Sequence, residues 1–391
     1  MTEVVIAGIG QTPLGEQWDA SLRELAFWAL DAALQDAGGL QPQALFVGNM
    51  LAPQLSHQAN VGTLVADFAG LTGIEAVTVE AAGASGGAAL RAGYLAVKAG
   101  MADVALVLGV EKFSDQPGGA VEEALATTGD GDYEAPQGST PLVQAALLMQ
   151  RYLHESGAPH SAFAGFALNA HANGARNPNA MFQRTITAET YEGSGVVSTP
   201  LNLFDVAPHA DGAAAVVLTR PELLGGDPLH HQVRIAASSM TSDRLALHDR
   251  PDPLDFRAAR LSVEQALARA GITREQLDFL ELHDAYSIYG ALALEAAGFA
   301  GRGEGWRLAA QEYIGLHGRL PLNTFGGMKA RGDAGGASGL YAVVEAVLQL
   351  RGAAGANQVA EAHWGLVQSL GGPAAAVATH ILTAAEGIRP G

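Results

Sequence analysis

His283 and Asp284 follow directly on the apolar run Phe279-Leu280-Glu281-Leu282, where a strand would deliver them to a loop and Asp284 would orient a ring nitrogen of the histidine. Asp333 sits in the glycine-rich stretch Gly332-Asp333-Ala334-Gly335-Gly336. Buried there, its carboxyl would have a raised pKa and act as a neutral donor or a general base; in water it is an ordinary turn aspartate. Tyr286 and Tyr341 are acids or bases only if they face a cleft, and are otherwise core aromatics. The 391 residues include no cysteine, which excludes disulfides, thiolate metal sites and thiol catalysis together. His171 and the pair His230-His231 lack carboxylates at ligand spacing, so no metal site and no cofactor are expected. What remains is proton transfer, together with hydrogen bonding to an oxyanion.

Glycine turns would supply the donors. Gly83-Ala84-Ser85-Gly86 recurs 253 residues later as Gly336-Ala337-Ser338-Gly339, and each copy opens an apolar helix of small residues, over 88–99 and 340–350. Free N–H groups at such helix starts suit an oxyanion or a phosphate. Gly83 offers a backbone N–H, and Gly371-Gly372 a partner donor; alternatively these glycines only permit tight packing. Ser85 is the hydroxyl closest to the first turn, but its repetition as Ser338 marks it as a cap or packing residue of the turn.

A second pair keeps the same order, with Asp211-Gly212-Ala213-Ala214-Ala215-Val216 matching Gly371-Gly372-Pro373-Ala374-Ala375-Ala376-Val377. Its offset is about 160 residues, so the first copy carries an insertion of roughly 93 residues, between Lys112 and Phe204. The expected organisation is a first half over 1–112 and 204–222, a lid over 113–203 containing a helix at 142–154, and a second half over 230–391. Apolar runs such as 105–110, 214–218 and 279–282 alternate with helical stretches such as 22–37 and 261–270, which predicts an α/β protein with buried sheets.

Composition narrows the partners. A net charge of −18, from 22 basic and 40 acidic residues, argues against a nucleic-acid surface, so a polyanionic ligand must be met locally. Lys329-Ala330-Arg331 offers that local charge, unless both residues are simply solvated. No apolar run approaches the roughly 20 residues that span a bilayer, and the chain enters a strand at Val4-Val5-Ile6 with no signal-peptide pattern before it. A cytoplasmic location without membrane attachment is the expectation.

Several blocks, read together and in order, carry a family resemblance. They are Val79 through Gly87, Asn177-Pro178-Asn179-Ala180, Ala207 through Ala214, Glu281 through Ile288, and Leu320-Pro321-Leu322-Asn323 with Gly326 through Gly332. From Val4 to near Leu382 the chain resembles the thiolase superfamily, in its lipid-transfer (SCP2-type) and acetyl-CoA acetyltransferase-like branch. The resemblance implies a five-layer αβαβα fold with two similar halves, a homodimer or tetramer, and an acyl-CoA bound under the lid, with Asn177, Asn323, Lys329 and Arg331 as its contacts. It also implies that Gly83 stands where the family has its nucleophilic cysteine, and Asp333 where it has the histidine of a Gly-His-Pro motif. An acyl-cysteine pathway is therefore closed. Cysteine-free relatives that act as side-chain aldolases with a small OB-fold (DUF35-type) partner suggest a C–C bond lyase performing a retro-aldol reaction on a β-hydroxyacyl-CoA, with His283 or Asp333 as base. The alternatives are a non-catalytic subunit of a heteromeric complex, or an acetyl-CoA acetyltransferase using an unidentified nucleophile.

Overall fold

The computed structural model describes residues 2–224, 233–310 and 312–384; His230 and His231 lie outside them. The apolar runs form strands β1 (Val5–Gln11), β2 (Ala44–Gly48), β3 (Glu75–Val79), β4 (Val104–Glu111), β5 (Val196–Ser198), β6 (Leu201–Asn202), β7 (Gly212–Thr219), β8 (Val233–Ser242), β9 (Phe279–Leu282), β10 (Trp364–Gly371) and β11 (Ala376–Ala384). Nine of them join in the order β3-β2-β4-β7-β1-β8-β11-β10-β9, while β5 and β6 pair separately.

The duplication is visible in that order. In the first half β2 runs parallel to β4, β4 antiparallel to β7, and β7 antiparallel to β1. In the second half β9, β10, β11 and β8 repeat the sequence of parallel, antiparallel and antiparallel pairings. The stretch around Leu322 makes a single parallel bridge to Leu280, where a full counterpart of β3 would lie. Pro321 within that stretch cannot donate to a ladder, which accounts for its shortness. The halves meet where Val5 and Ile6 pair with Arg234 and Val233.

Helices α1 (Leu22–Asp36), α2 (Ser85–Lys98), α3 (Gly118–Ala126), α4 (Pro141–Ser156), α5 (Ala164–Gly174), α6 (Arg257–Ala270), α7 (Ser287–Ala296) and α8 (Ser338–Leu350) complete the layers. Alternate residues of each buried strand serve different layers, as the two-residue period of a strand requires. Leu106 and Leu108 of β4 meet Leu25 and Ala29 of α1, whose start is fixed by a capping box between Ser21 and Glu24. Val107, on the other face, joins Leu90 of α2 and Leu340 and Val344 of α8, and Val367 and Leu382 of the second half close over those same helices. Leu366 and Ile381 then face Val263 of α6 and Leu292 of α7. The result is the sequence of layers α, β, α, β, α.

The two central helices start side by side. A Cβ on Gly86 would lie 2.9 Å from the Gly336 carbonyl oxygen and 3.0 Å from the Leu340 nitrogen, and one on Gly339 would lie 3.0 Å from the Gly87 nitrogen. The small residues of both repeats are needed because backbone meets backbone here.

The stretch between β4 and β7 carries α3, α4 and α5. Leu148, Met149 and Tyr152 of α4 and Phe166 of α5 pack with Ile288, Tyr289 and Leu292 of the second half rather than with their own. Asp211 ties the two ends of this excursion together: its carboxylate accepts from Phe113 N at 2.6 Å, Ser114 N at 3.0 Å and Gln17 N at 2.9 Å, with Lys112 Nζ at 3.4 Å. Burial pushes its pKa up, but the hydrogen bonds from Ser114, Gln17 and Phe113 outweigh this and hold it below the usual carboxylate value. Among the described residues no helix is long and apolar enough to cross a membrane.

Gly86→Val should destabilise the fold by about 3 kcal/mol, since the neighbouring backbone cannot move aside as a side chain would. Urea unfolding followed by circular dichroism measures this. A midpoint within error of the parent would refute the tight crossing.

Candidate active site

The first glycine turn is closed by its own serine. Ser85 Oγ accepts from Ala81 N at 2.9 Å and donates to the Ala82 carbonyl at 2.6 Å, fully buried, so it acts as a turn residue and not as a free nucleophile. Gly83, two residues earlier, has no room for a side chain: a Cβ there would lie 2.7 Å from the Leu370 carbonyl oxygen and 3.0 Å from His283 Cε1. The histidine ring and the end of β10 have closed over that place.

His283 emerges directly after β9. It is buried, and its Nδ1 has no hydrogen-bond partner. Burial lowers its pKa to about 4, partly opposed by the charge of Asp333. At neutral pH it is therefore an uncharged imidazole, one nitrogen donating and the other accepting. Asp284 does not orient it. Its Oδ1 accepts from Met328 N at 2.7 Å, so the carboxylate braces the following loop instead.

Asp333 leads into the second glycine turn. Its Oδ1 accepts from Gly335 N at 3.0 Å and from Ser338 Oγ at 2.7 Å, which fixes the carboxylate against the start of α8. Its backbone is held by the hairpin before β7: Asp333 N donates to Pro208 O at 2.8 Å, and Ala210 N donates to Asp333 O at 2.9 Å. These bonds place His209 beside Asp333.

Gly83, Gly372, His283 and Asp333 border one small cavity of about 50 Å³, together with His209, Tyr286 and Tyr289. Leu125 of α3, Thr128 and Pro141 close it from the inserted stretch. The rings of Tyr286 and Tyr289 meet edge to face at 5.0 Å, and Tyr289 Oη has no partner. Burial raises both phenol pKa values, so each remains a proton donor at neutral pH. Tyr286 thus faces the cleft, whereas Tyr341 is a core aromatic that donates to the Thr12 carbonyl at 3.1 Å. Gly371 turns toward the Ala81 carbonyl, where a Cβ would lie only 2.4 Å away, and does not line the cavity.

The expected CoA contacts separate. A larger cleft of about 640 Å³ is lined by Phe182, Arg184, Ile186, Leu203, Pro208 and Lys329 among others. Of the four expected residues only Lys329 reaches it. Lys329 is buried, its ammonium donates to the Asp205 carbonyl at 2.7 Å, and desolvation lowers its pKa to about 8. Arg331 is a correction: it is buried away from both cavities, paired with Glu345 at 2.6 Å and set over the Tyr341 ring. Asn323 is another, accepting from Leu282 N at 2.8 Å, and Asn177 a third, donating to the Phe325 carbonyl at 3.0 Å. These asparagines satisfy backbone groups that would otherwise be buried without partners.

Sequence reasoning passes over His209, Tyr289 and Arg184. His209 lies inside the quoted block Ala207 to Ala214, three residues before a strand, and that placement was the available signal. Tyr289 lies three residues after Tyr286, in the first turn of α7, where its ring meets that of Tyr286. His171, on the larger cleft, has its Nδ1 3.2 Å from the Arg184 carbonyl. Among the described residues no group of three or more histidine, aspartate or glutamate side chains is arranged to hold a metal ion.

The small cavity thus gathers glycine backbone, a carboxylate, two histidines and two tyrosines on a duplicated α/β core. Residues 4–222 match the family described as "Thiolase, N-terminal domain", and residues 239–384 match "Thiolase C-terminal domain-like". The chain belongs to the thiolase superfamily and lacks its nucleophilic cysteine. It is 39% identical to an acetyl-CoA acetyltransferase from Methanothermobacter thermautotrophicus, over 98% of this chain and 100% of that protein. It is 31% identical to the 17-hydroxy-3-oxo-4-pregnene-20-carboxyl-CoA lyase of Mycobacterium tuberculosis, over 90% of this chain and 92% of that one. A solved structure described as an Ltp2-ChsH2(DUF35) aldolase superposes with a TM-score of 0.84 at 26% identity, covering 99% of both chains.

Two outcomes follow from this geometry. Gly83→Cys should gain no thiolysis of acetoacetyl-CoA and no acyl adduct by mass spectrometry, and should lose about 1–3 kcal/mol of stability through crowding at Leu370 and His283. Folded His283 takes its proton only near pH 4, whereas in the unfolded chain it does so near 6.5. Its contribution to stability is therefore complete above pH 6.5 and drains as pH falls toward 4. Relative to His283→Gln, the parent should lose about 3 kcal/mol across that window, at roughly 1.4 kcal/mol per pH unit, read by urea titrations at stepped pH.

Proposed function

We propose that this protein binds an acyl-CoA and cleaves a C–C bond in it by a retro-aldol reaction on a β-hydroxyacyl thioester. One observation carries the reading: the place of a nucleophile is filled by the His283 ring and the Leu370 carbonyl, while donors and a carboxylate still surround the adjoining cavity. Such a site has lost covalent catalysis and kept what an enolate needs.

In this scheme the thioester oxygen accepts from the backbone N–H groups of the Gly83 and Gly372 turns and from the neutral His283 ring. Asp333, steadied through Oδ1, accepts the β-hydroxyl proton. The Cα–Cβ bond then breaks, the β-carbon leaves as an aldehyde or ketone, and the electron pair passes into the enolate of the shortened acyl-CoA. The larger cleft would take the CoA moiety, with Arg184 at its exposed lip and Lys329 beneath as the local cations for phosphate. The stretch 113–203 then acts as the lid, since Leu125, Thr128 and Pro141 close the small cavity.

The lyase in Mycobacterium tuberculosis and the Ltp2-ChsH2(DUF35) aldolase support this chemistry, and the second also supports a small OB-fold partner for this chain. A homodimer is the simplest assembly, because β3 is an outer strand with a half-exposed face and one unpaired edge that a second copy would extend.

Purified protein incubated with 3-hydroxyacyl-CoA thioesters should release an aldehyde and a shortened acyl-CoA, followed by mass spectrometry. Asp333→Asn should slow this by about 100-fold. Thiolysis of acetoacetyl-CoA by added CoA would overturn the proposal. Silence with both substrates, alongside a co-purifying second subunit, would favour a non-catalytic role.

A further inference from the structure

The retro-aldol scheme leaves one proton unplaced, since the enolate must be protonated at its α-carbon before the shortened acyl-CoA can leave. Asp333 is charged with the β-hydroxyl proton at that moment. His283 is committed to the thioester oxygen and, buried and neutral, has no spare proton to give. A separate acid with access to solvent is needed.

His209 has the required geometry. Its Nδ1 is sealed from bulk water and has no hydrogen-bond partner, an orphan donor or acceptor in a ring that borders the small cavity. The rest of the ring is half-buried, and its Nε2 lies 4.0 Å from the part-exposed carboxylate of Glu122 on α3. The ring thus reaches from the wall of the small cavity to a carboxylate that is open to solvent. The ring stacks on Phe113, with centroids 5.0 Å apart and planes 19° from parallel, which favours this orientation. The backbone bridge between residues 209 and 333 sets its side chain next to Asp333.

We propose that His209 is a catalytic residue of this site, a proton shuttle that takes a proton from solvent beside Glu122 and delivers one from its ring to the α-carbon of the enolate. This rests on the lyase reading above. The balance closes without a co-reactant. Asp333 gains the hydroxyl proton, the Cα–Cβ electron pair becomes the enolate, and His209 loses one proton to form the new C–H bond. Solvent then removes the proton from Asp333 and restores that of His209. Imidazole suits the task because its two nitrogens exchange donor and acceptor roles. Glu122, Asp333, His283 and Tyr286 are the titratable groups around it.

The step can be observed alone. In D₂O the parent should exchange the α-protons of acetyl-CoA, read by mass spectrometry, because protonation of the enolate runs in reverse without any C–C cleavage. His209→Gln should slow that exchange by about 100-fold while its Kd for CoA stays within about twofold. Glu122→Gln, a change at a part-exposed position, should slow it by about tenfold and decides the matter should His209→Gln not fold. A parent that cleaves hydroxyacyl-CoA, with both variants exchanging at the parental rate, would overturn the shuttle and leave the lyase intact. A parent that neither cleaves nor exchanges would overturn both.

Discussion

The molecule depends on how closely two glycine turns approach each other. Gly86 and Gly87 at the head of α2 meet Gly336 and Gly339 at the head of α8 with no room for a side chain between them. That contact sets the spacing of the central layer, on which both halves of the sheet pack. It also brings together two helix starts whose preceding residues, Gly83 and Asp333, border one cavity. The active-site geometry is therefore a by-product of the packing that holds the halves together, and a change that loosens the core displaces the chemistry with it.

The site itself has adjusted to the loss of its thiol. Gly83, where the family resemblance puts that thiol, is not an empty socket but a contact between His283, Leu370 and a bare backbone. His283 is held by this contact inside the protein, where burial keeps its ring neutral. Asp333 is held by Ser338, the first residue of α8, so the repeated serine has a different partner in each half: backbone in the first, a carboxylate in the second.

Much of this was legible in the residues. The two Gly-Ala-Ser-Gly copies announced the duplication, and the mismatch in offset between the two repeat pairs announced the excursion between β4 and β7. The zero cysteine count and the placement of His283 after an apolar run pointed to the cavity. The sequence was least informative for polar side chains in loops. Arg331, Asn323 and Asn177 lie in family blocks because they satisfy buried backbone or charge, and a polar residue that holds a loop together has the same spacing as one that holds a ligand. Asp284 misled for the same reason. His209 escaped notice because its surroundings are set by residues 113, 122 and 333, far from it along the chain, which no local pattern displays.

The path of the excursion bears on how the chain is made. Helices α4 and α5 are encoded within the first half, yet the apolar faces of Leu148, Met149, Tyr152 and Phe166 are covered by residues beyond 280. A ribosome delivers the first 220 residues before that cover exists. Through that interval the nascent chain carries an oily surface with nothing to lay it against, so the first half cannot reach its final form ahead of the second. The symmetry that suggests two independent modules in fact describes one folding unit, and cutting the gene at its evolutionary seam would yield two sticky fragments rather than two domains.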